Sequence, residues 1–319
     1  MLAVTAARAE PDNPIVALEI GDVPDPRLQP GWEVVRVRAA SLNHHDIWTL
    51  RGVGIDPDRL PIVLGCDAAG VTEDGREVIV HALVPDDPSG PEAPGNFTIL
   101  SERYDGTHAE LVAVPSRNLI DKPAAISFEE ASCLPTAWLT AYRMLFVQGG
   151  LRPGQRVLVQ GAGGGVATAA ILLGKAAGLR MYATSRDPAK ADRAVELGAY
   201  AGLETGARLP ERVDAVLETV GEATWGHSLR SVEAGGVIVV AGSTSGPNPP
   251  AELQRVFFRQ VRVVGSTMGT HAEFIDLVRM LETSGVRPLI DSVRPLAEAR
   301  SAYEDMANGE VFGKLVLTT

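Results

Sequence analysis

The sequence predicts an α/β protein in two parts: a doubly wound parallel sheet in the middle of the chain, and a strand-rich lobe at its start to which the C-terminal tail returns. Three observations carry this. From about residue 123 to 266, short β-branched strands alternate with helical stretches. Residues 1 to about 122 read instead as strands broken by turns, and a closing apolar run, "GKLVL", ends a tail over 267–319. A chain of 319 residues is long enough for two domains, drawn here as 1–122 with 267–319, and 123–266.

The elements follow in order. "WEVVRVRAA" (32–40) alternates valine with charged residues, as a strand with one wet face does. "GVTEDGREVIVHA" (70–82) sets Asp74-Gly75 between two apolar runs, a hairpin turn. Residues 85–105 are rich in Pro, Asp, Gly and Glu without a period, and read as a long surface loop of functional or relic origin. "GTHAELVAVP" (106–115) is strand again. "SFEEASCLPTAWLTAYRMLFV" (127–147) opens with a capping box, Ser127 to Glu130, and stays apolar for several turns, with Pro135 expected to interrupt it. Strands then follow at 156–161, 180–184, 213–218, 237–242 and 261–266, with helices between them, the second stopped by Gly198. Two further helical patterns, "HAEFIDLVRMLET" and "LAEARSAYEDMANG", precede the last strand.

Composition narrows the function. With 45% hydrophobic and 22% charged residues the chain is globular rather than disordered. The net charge of −11 comes without a basic cluster, which argues against nucleic acid or an anionic membrane surface as partner. Cys66 and Cys133 cannot form a disulfide framework and suit a reducing compartment. The N-terminus lacks a signal-peptide pattern, and no apolar run reaches the roughly 18 residues of a membrane span. The expectation is a cytoplasmic protein.

The most informative stretch is "VLVQGAGGGVATAAILLGKAAG". A strand runs into Gly161-Ala162-Gly163-Gly164-Gly165-Val166 and then into a helix of small residues. Glycine allows a sharp turn and the close approach of a pyrophosphate. The helix start offers unpaired N–H groups and a positive dipole end to that anion. With further strand–helix units after it, this is a Rossmann dinucleotide site. An NAD site usually ends its second strand with Asp or Glu on the ribose. Here "RMYATSRDPAK" ends with Ser185 and Arg186, with Lys190 a turn later, and these bond a 2′-phosphate that a carboxylate would repel. Asp187 reads as a helix cap, with Pro188 in the first turn. The expected cofactor is NADPH.

With a strand-rich lobe, a central Rossmann unit and a returning tail, the chain resembles the medium-chain dehydrogenase/reductase superfamily, and within it the zinc-independent quinone oxidoreductase-like branch, whose members are often labelled zinc-binding alcohol dehydrogenases. The resemblance covers nearly the whole chain and is carried by "AASLNHHDIWTLRG", "PIVLGCDAAGV", "DGTHAELVAVP", "LPTAWLTAYRML", "VLVQGAGGGV" and "GKLVL". It implies a GroES-like catalytic domain for the strand-rich lobe. In the zinc-using alcohol dehydrogenases of this superfamily three side chains hold catalytic zinc, and the matching positions here are Asn43, Cys66 and Thr136. Amide and hydroxyl oxygens are poor Zn²⁺ ligands. The loop at 85–105 has none of the cysteines of the family's structural-zinc lobe. No metal is expected.

The stretch "SLNHHDIW" leaves three readings. His45, Cys66 and Asp67 converge on a metal; or Asn43 and Asp46 fix the local helix by bonds to backbone while one histidine faces solvent; or His45, standing where family alcohol dehydrogenases keep a proton-passing hydroxyl, is a cleft residue that moves protons. The resemblance implies a cleft lined by Asn43, His45, Cys66, Trp48 and Thr140, with Thr140 beside the nicotinamide. Val220-Gly221, Ala241-Gly242-Ser243 and Met268-Gly269 follow strand ends where ligands sit, or are plain turns. Trp48 and Trp138 are substrate walls or core aromatics, Cys66 a cleft thiol or a small buried hydrophobe, and Lys314 a cofactor contact or an exposed cation. The expected activity is metal-free hydride transfer from NADPH to a quinone or α,β-unsaturated carbonyl. The alternatives are a zinc-dependent alcohol dehydrogenase with substituted ligands, and a non-catalytic NADPH-binding protein. A homodimer is expected through the apolar last Rossmann strand.

Overall fold

A computed structural model describes residues 1–87 and 95–319. The chain forms two compact units, one of Met1–Thr136, Thr270–Glu282 and Arg287–Thr319, the other of Ala137–Gly269 with Thr283–Val286. The first crossing thus falls after Thr136, later than the 122/123 boundary drawn from the sequence. The capped helix Phe128–Ser132 packs on the strands of the first unit, which holds it there.

The first unit is built on the long strand Trp32–Ser41. Its first half pairs antiparallel with Leu111–Pro115, and its second half pairs on one side with Asp67–Thr72 and on the other with Lys314–Thr318. The Asp74-Gly75 turn joins Asp67–Thr72 to Glu77–Val80 as expected. The C-terminal tail does return here, and it brings a strand that the sequence pattern hid: Ile290–Pro295 runs parallel to Lys314–Thr318, with helix Ala299–Asn308 as the crossover. Its burial alternates at every residue, but the inner face carries Ser292 and Arg294 beside Ile290, so the apolar pattern was faint. Leu42, Ile47, Leu50, Leu64, Tyr303 and Leu315 form the core beneath the site. Phe97–Ile99, inside the expected 85–105 loop, pairs with Leu83–Pro85 at its start as a small antiparallel ribbon, and residues 88–94 of that loop lie outside the described residues.

The second unit is a six-stranded parallel sheet in the order Ala201–Glu204, Arg180–Ser185, Arg156–Val159, Val213–Glu218, Val232–Val240, Arg262–Gly265. This is the doubly wound order of a dinucleotide-binding fold. The sequence showed five of the six strands. The sixth, "AGLE", lacks a β-branched run, and Gly202 is there because a Cβ would meet the Ala191 carbonyl oxygen at 2.1 Å, so helix Pro188–Leu197 packs directly on its backbone. Pro135 does not break the helical stretch. The chain widens into π turns at Leu134–Trp138 and Arg143–Gln148 around Leu139–Tyr142, a geometry that relieves the clash of a proline ring with the preceding turn. Among the described residues no helix is long and apolar enough to cross a membrane.

Candidate active site

Sheet register assembles the cluster of the first unit. Ser41 stands opposite Asp67 on one side and Val316 on the other, and the Leu42 N–H donates to Leu315 O at 3.0 Å. Asn43, Cys66-Asp67 and Lys314 are therefore brought together from three strand ends. Asp67, fully buried, is the hub. Its Oδ2 accepts from Asn43 Nδ2 (2.8 Å) and lies 2.9 Å from Ser41 Oγ and 3.3 Å from Lys314 Nζ, while its Oδ1 accepts from Thr136 Oγ1 at 2.6 Å. Lys314 Nζ also donates to Asn43 Oδ1 and Leu42 O, each at 2.7 Å.

Lys314 therefore has a different place from the one expected. It is 3% exposed, with its ammonium enclosed by these three oxygens, and it is neither exposed nor presented to a cofactor. A buried ammonium needs such a set of acceptors, because desolvation without them costs several kcal/mol. Asn43 and Asp46 form the reciprocal capping box expected of a helix start, with the Asn43 N–H held by Asp46 Oδ2 at 2.7 Å; the Asn43 side chain serves the Asp67–Lys314 cluster besides and reaches Cys66 Sγ at 3.5 Å.

Three other groups complete this cluster. Asp46 is fully buried, its Oδ1 has no hydrogen-bond partner, and burial pushes its carboxyl up to about 7. Burial, with Asp67 and Asp46 close by, raises the Cys66 thiol well above its ordinary value, so the sulfur stays protonated, 3.3 Å from Thr136 Oγ1. Of the paired histidines on helix His44–Leu50, His44 is exposed and His45 turns inward. The Leu100 backbone lies close to the His45 ring, whose Nε2, without a hydrogen-bond partner, is 3.9 Å from Glu102 Oε1. Burial lowers its pKa, and the Glu102 and Asp67 carboxylates oppose that shift. Trp48 is half-buried; Trp138 is 1% exposed and belongs to the core.

The donors fit zinc poorly. At the three positions that match the family's ligands stand an amide tied to Asp67 and Lys314, a thiol that burial keeps protonated, and a hydroxyl already donating to Asp67. A metal here would also lie close to the Lys314 ammonium, against Coulomb repulsion. His45, Cys66 and Asp67 do not form a ligand set either, since among the described residues no three His, Cys, Asp or Glu side chains are grouped to hold a metal.

The second unit offers the cofactor cradle. Gly161 adopts φ +76°, and a Cβ there would come 2.9 Å from Val220 Cγ2, so this position needs glycine. The Ala162 N–H donates to Thr184 O at 2.7 Å, tying the loop to the second strand. Helix Gly165–Ala176 starts after Gly163-Gly164 with no side chain capping it, so the N–H groups of its first turn, from Gly165 and Val166, remain open to an anion. At the second strand end, Asp187 caps the next helix by accepting from Ala189 N–H (2.9 Å), with Pro188 in the first turn. Ser185 Oγ accepts from the Asp187 N–H at 3.0 Å and keeps its own proton to donate. Arg186 is exposed, and Lys190 is half-buried on the following helix. Thr140 is buried, and Met268 lies in a left-handed turn (φ +46°) after the last strand. Val220, Gly242 and Ser243 lie at strand ends, with the Val220 N–H held by the buried Glu218 carboxylate at 2.9 Å.

Sequence reasoning missed Glu102, which sits in a stretch without period, and undervalued Asp67 and Lys314. The signal for the last two was a charged pair inside apolar strand text, "GCDAAGV" and "GKLVL", at positions that sheet register makes neighbours.

These features agree with the comparisons. Residues 29–124 match the alcohol dehydrogenase GroES-like domain, and residues 190–317 match the zinc-binding dehydrogenase family. A zinc-type alcohol dehydrogenase-like protein of Leptosphaeria maculans is 30% identical over 94% of this chain and 94% of its own. The crystal structure of an NAD-dependent alcohol dehydrogenase superposes with a TM-score of 0.89 at 32% identity, covering 100% of both chains. A 2-octenoyl-CoA carboxylase reductase in complex with NADP and 2-octenoyl-CoA superposes with a TM-score of 0.90 at 25% identity, over 99% of this chain and 87% of that one. The chain belongs to the medium-chain dehydrogenase/reductase superfamily of nicotinamide-dependent oxidoreductases.

Proposed function

We propose that this protein uses NADPH to reduce a conjugated carbonyl acceptor, an enone or a quinone, without a metal. The observation that carries the reading is the Asn43–Asp67–Lys314 cluster, which ties up the Asn43 amide and, through Asp67, the Thr136 hydroxyl, two of the three groups that stand at the positions matching zinc ligands. Without a Lewis acid, drawing a proton from a free alcohol is hard, whereas an enone or quinone already accepts hydride at carbon and collects charge on oxygen. The 2-octenoyl-CoA carboxylase reductase, in complex with NADP and 2-octenoyl-CoA, supports the choice of cofactor and of a conjugated acceptor, since 2-octenoyl-CoA is an α,β-unsaturated thioester.

The glycine turn 161–165 with Val166 would hold the pyrophosphate, and Ser185, Arg186 and Lys190 the 2′-phosphate. Val220, Gly242, Ser243 and Met268 would line the nicotinamide half at the strand ends, with Thr140 beside its amide. When bound, the nicotinamide supplies the hydride. In the first unit, Asn43 and the Cys66 thiol are the groups offered to an acceptor, Lys314 keeps Asn43 in one orientation, and Asp46 holds the backbone from which both Asn43 and His45 project. The edge strand Arg262–Gly265, preceded by a short helix that exposes Leu253, Phe257 and Phe258, supports a homodimer.

The test pairs metal content with turnover. The purified protein, loaded with excess zinc and then desalted, should retain well under one zinc per chain and oxidise NADPH with 2-cyclohexen-1-one or 1,4-benzoquinone equally fast before and after chelation. One zinc per chain, with chelator-sensitive oxidation of an alcohol, would sink the proposal in favour of an alcohol dehydrogenase. Tight NADPH binding without turnover of any of these would leave a nucleotide-binding protein.

A further inference from the structure

The segment Phe97–Glu102 delivers a carboxylate to the site from the lobe that carries no cysteine. One oxygen of Glu102 is committed: its Oε2 accepts from the Ile99 N–H at 2.9 Å and from Thr98 Oγ1 at 3.1 Å, which fixes the side chain. The other oxygen faces His45 Nε2 across 3.9 Å. No hydrogen bond among the described residues reaches either of these two facing atoms. The His45 side chain is 12% exposed and that of Glu102 22%, so the gap is sheltered without being sealed. A gap of 3.9 Å is too long for a direct bond, yet one oxygen atom can bond to both groups across it. Of the other charged groups around His45, Asp67 adds a second negative charge, and Asp67 in turn is paired with Lys314 and lies close to Asp46.

We propose that Glu102 is a positioning residue that holds His45 as the proton donor of the reduction, a role that rests on the enone and quinone reading above. Hydride addition to an enone leaves charge on the α-carbon and carbonyl oxygen, and addition to a quinone leaves a phenolate. Each needs one proton. The His45 Nε2–H bond breaks as the C–H or O–H bond of the product forms, and the neutral imidazole takes its replacement proton from solvent. The Glu102 carboxylate keeps the charged imidazole favourable in a pocket that otherwise disfavours it, and sets the ring so that Nε2 points at the acceptor.

Two variants of the full chain test this, E102Q and H45Q. Glutamine at 102 keeps an oxygen for the Ile99 N–H and so preserves the turn. E102Q should lower kcat with 2-cyclohexen-1-one about tenfold, leave the KM for NADPH within twofold, and shift the limb of the kcat–pH profile assigned to His45 to lower pH; H45Q should remove that limb. Independently of turnover, the ¹⁵N signals of the His45 ring in the cofactor-free protein should show less imidazolium at pH 6 in E102Q than in wild type. Ring signals and pH profile unmoved by E102Q would overturn the proposal. If wild type reduces neither acceptor, the reading of the site fails, and the ring signals alone decide whether Glu102 sets the charge of His45.

Discussion

Lys314 Nζ donates to Asn43 Oδ1 at 2.7 Å across 271 residues of sequence, and this bond joins the last strand of the chain to the start of the helix that carries His45. It closes a ring in which Asp67 accepts from Asn43 and faces the same ammonium. A buried cation in such a ring is held by the carboxylate, and each loses its compensation when the other is removed.

Breaking the ring from one side should be costly. K314M leaves Asp67 charged, buried and short of a partner, and should destabilise the protein by about 3–5 kcal/mol. Adding D67N should return much of that loss, because an amide still meets Asn43 and Thr136. Urea midpoints of the two single variants and the double variant measure the coupling, and strict additivity would show that the pair does not act as a unit.

Arg186 should decide between the two nicotinamide cofactors. It is exposed beside Ser185 at the end of the second strand, without the carboxylate that an NAD site would place there. Losing one charge-assisted bond to a phosphate costs about 1.5–3 kcal/mol. R186A should therefore raise the Kd of NADPH roughly 10- to 100-fold and leave that of NADH nearly unchanged, by titration of the nicotinamide fluorescence. Equal losses for both would place Arg186 on the pyrophosphate instead.

What could be read from the sequence followed from local chemistry. The capping box Ser127–Glu130, the Asp187 cap with Pro188, the Asp74-Gly75 turn and the glycine turn at 161–165 are each written in adjacent residues, and each forms as expected. The part of the site that escaped is non-local. Lys314 meets Asn43 only through the antiparallel register of Lys314–Thr318 on Trp32–Ser41, and Glu102 meets His45 only through a turn without periodicity. Strand Ile290–Pro295 escaped for a related reason, since its pairing partner, and not its own pattern, defines it.

Asp46 should give the protein a distinctive pH response. Its folded carboxyl is raised to about 7 by burial, whereas the unfolded chain has an ordinary carboxylate value near 4. The folded state therefore binds the extra proton between these values, so this group's contribution is fully present below about pH 4 and is lost as pH rises through 7. D46N keeps an oxygen for the Asn43 N–H and removes the titration. Relative to wild type, D46N should gain stability between pH 5 and pH 8, and a constant difference in urea midpoint across that range would show that Asp46 is ionised throughout.

His227 sets the opposite sign in the cofactor-binding unit. Its Nε2 lies 2.8 Å from Ala207 O, a pure acceptor, so that nitrogen carries the proton, and Nδ1 must then accept from Gln160 Nε2 at 3.0 Å. Gln160 cannot flip to suit a second proton, because its Oε1 already accepts from Thr184 Oγ1 at 2.6 Å and its Nε2 also donates to Ser228 Oγ at 3.0 Å. Ser228 in turn donates to Glu218, the carboxylate that holds the Val220 and Gly221 N–H groups against the glycine turn. Protonating His227 would set two donors against each other one residue before Gly161. Burial lowers the His227 pKa, so its contribution is fully present above the unfolded value near 6.5 and is lost as pH falls through the lower folded value. NADPH affinity and thermal midpoint should therefore drop together on acidification below pH 6. H227Q, whose amide oxygen can accept from Gln160 without titrating, should blunt both drops. If acidification weakens NADPH binding equally in wild type and H227Q, the sensitivity lies in the cofactor's own phosphates and not in this network.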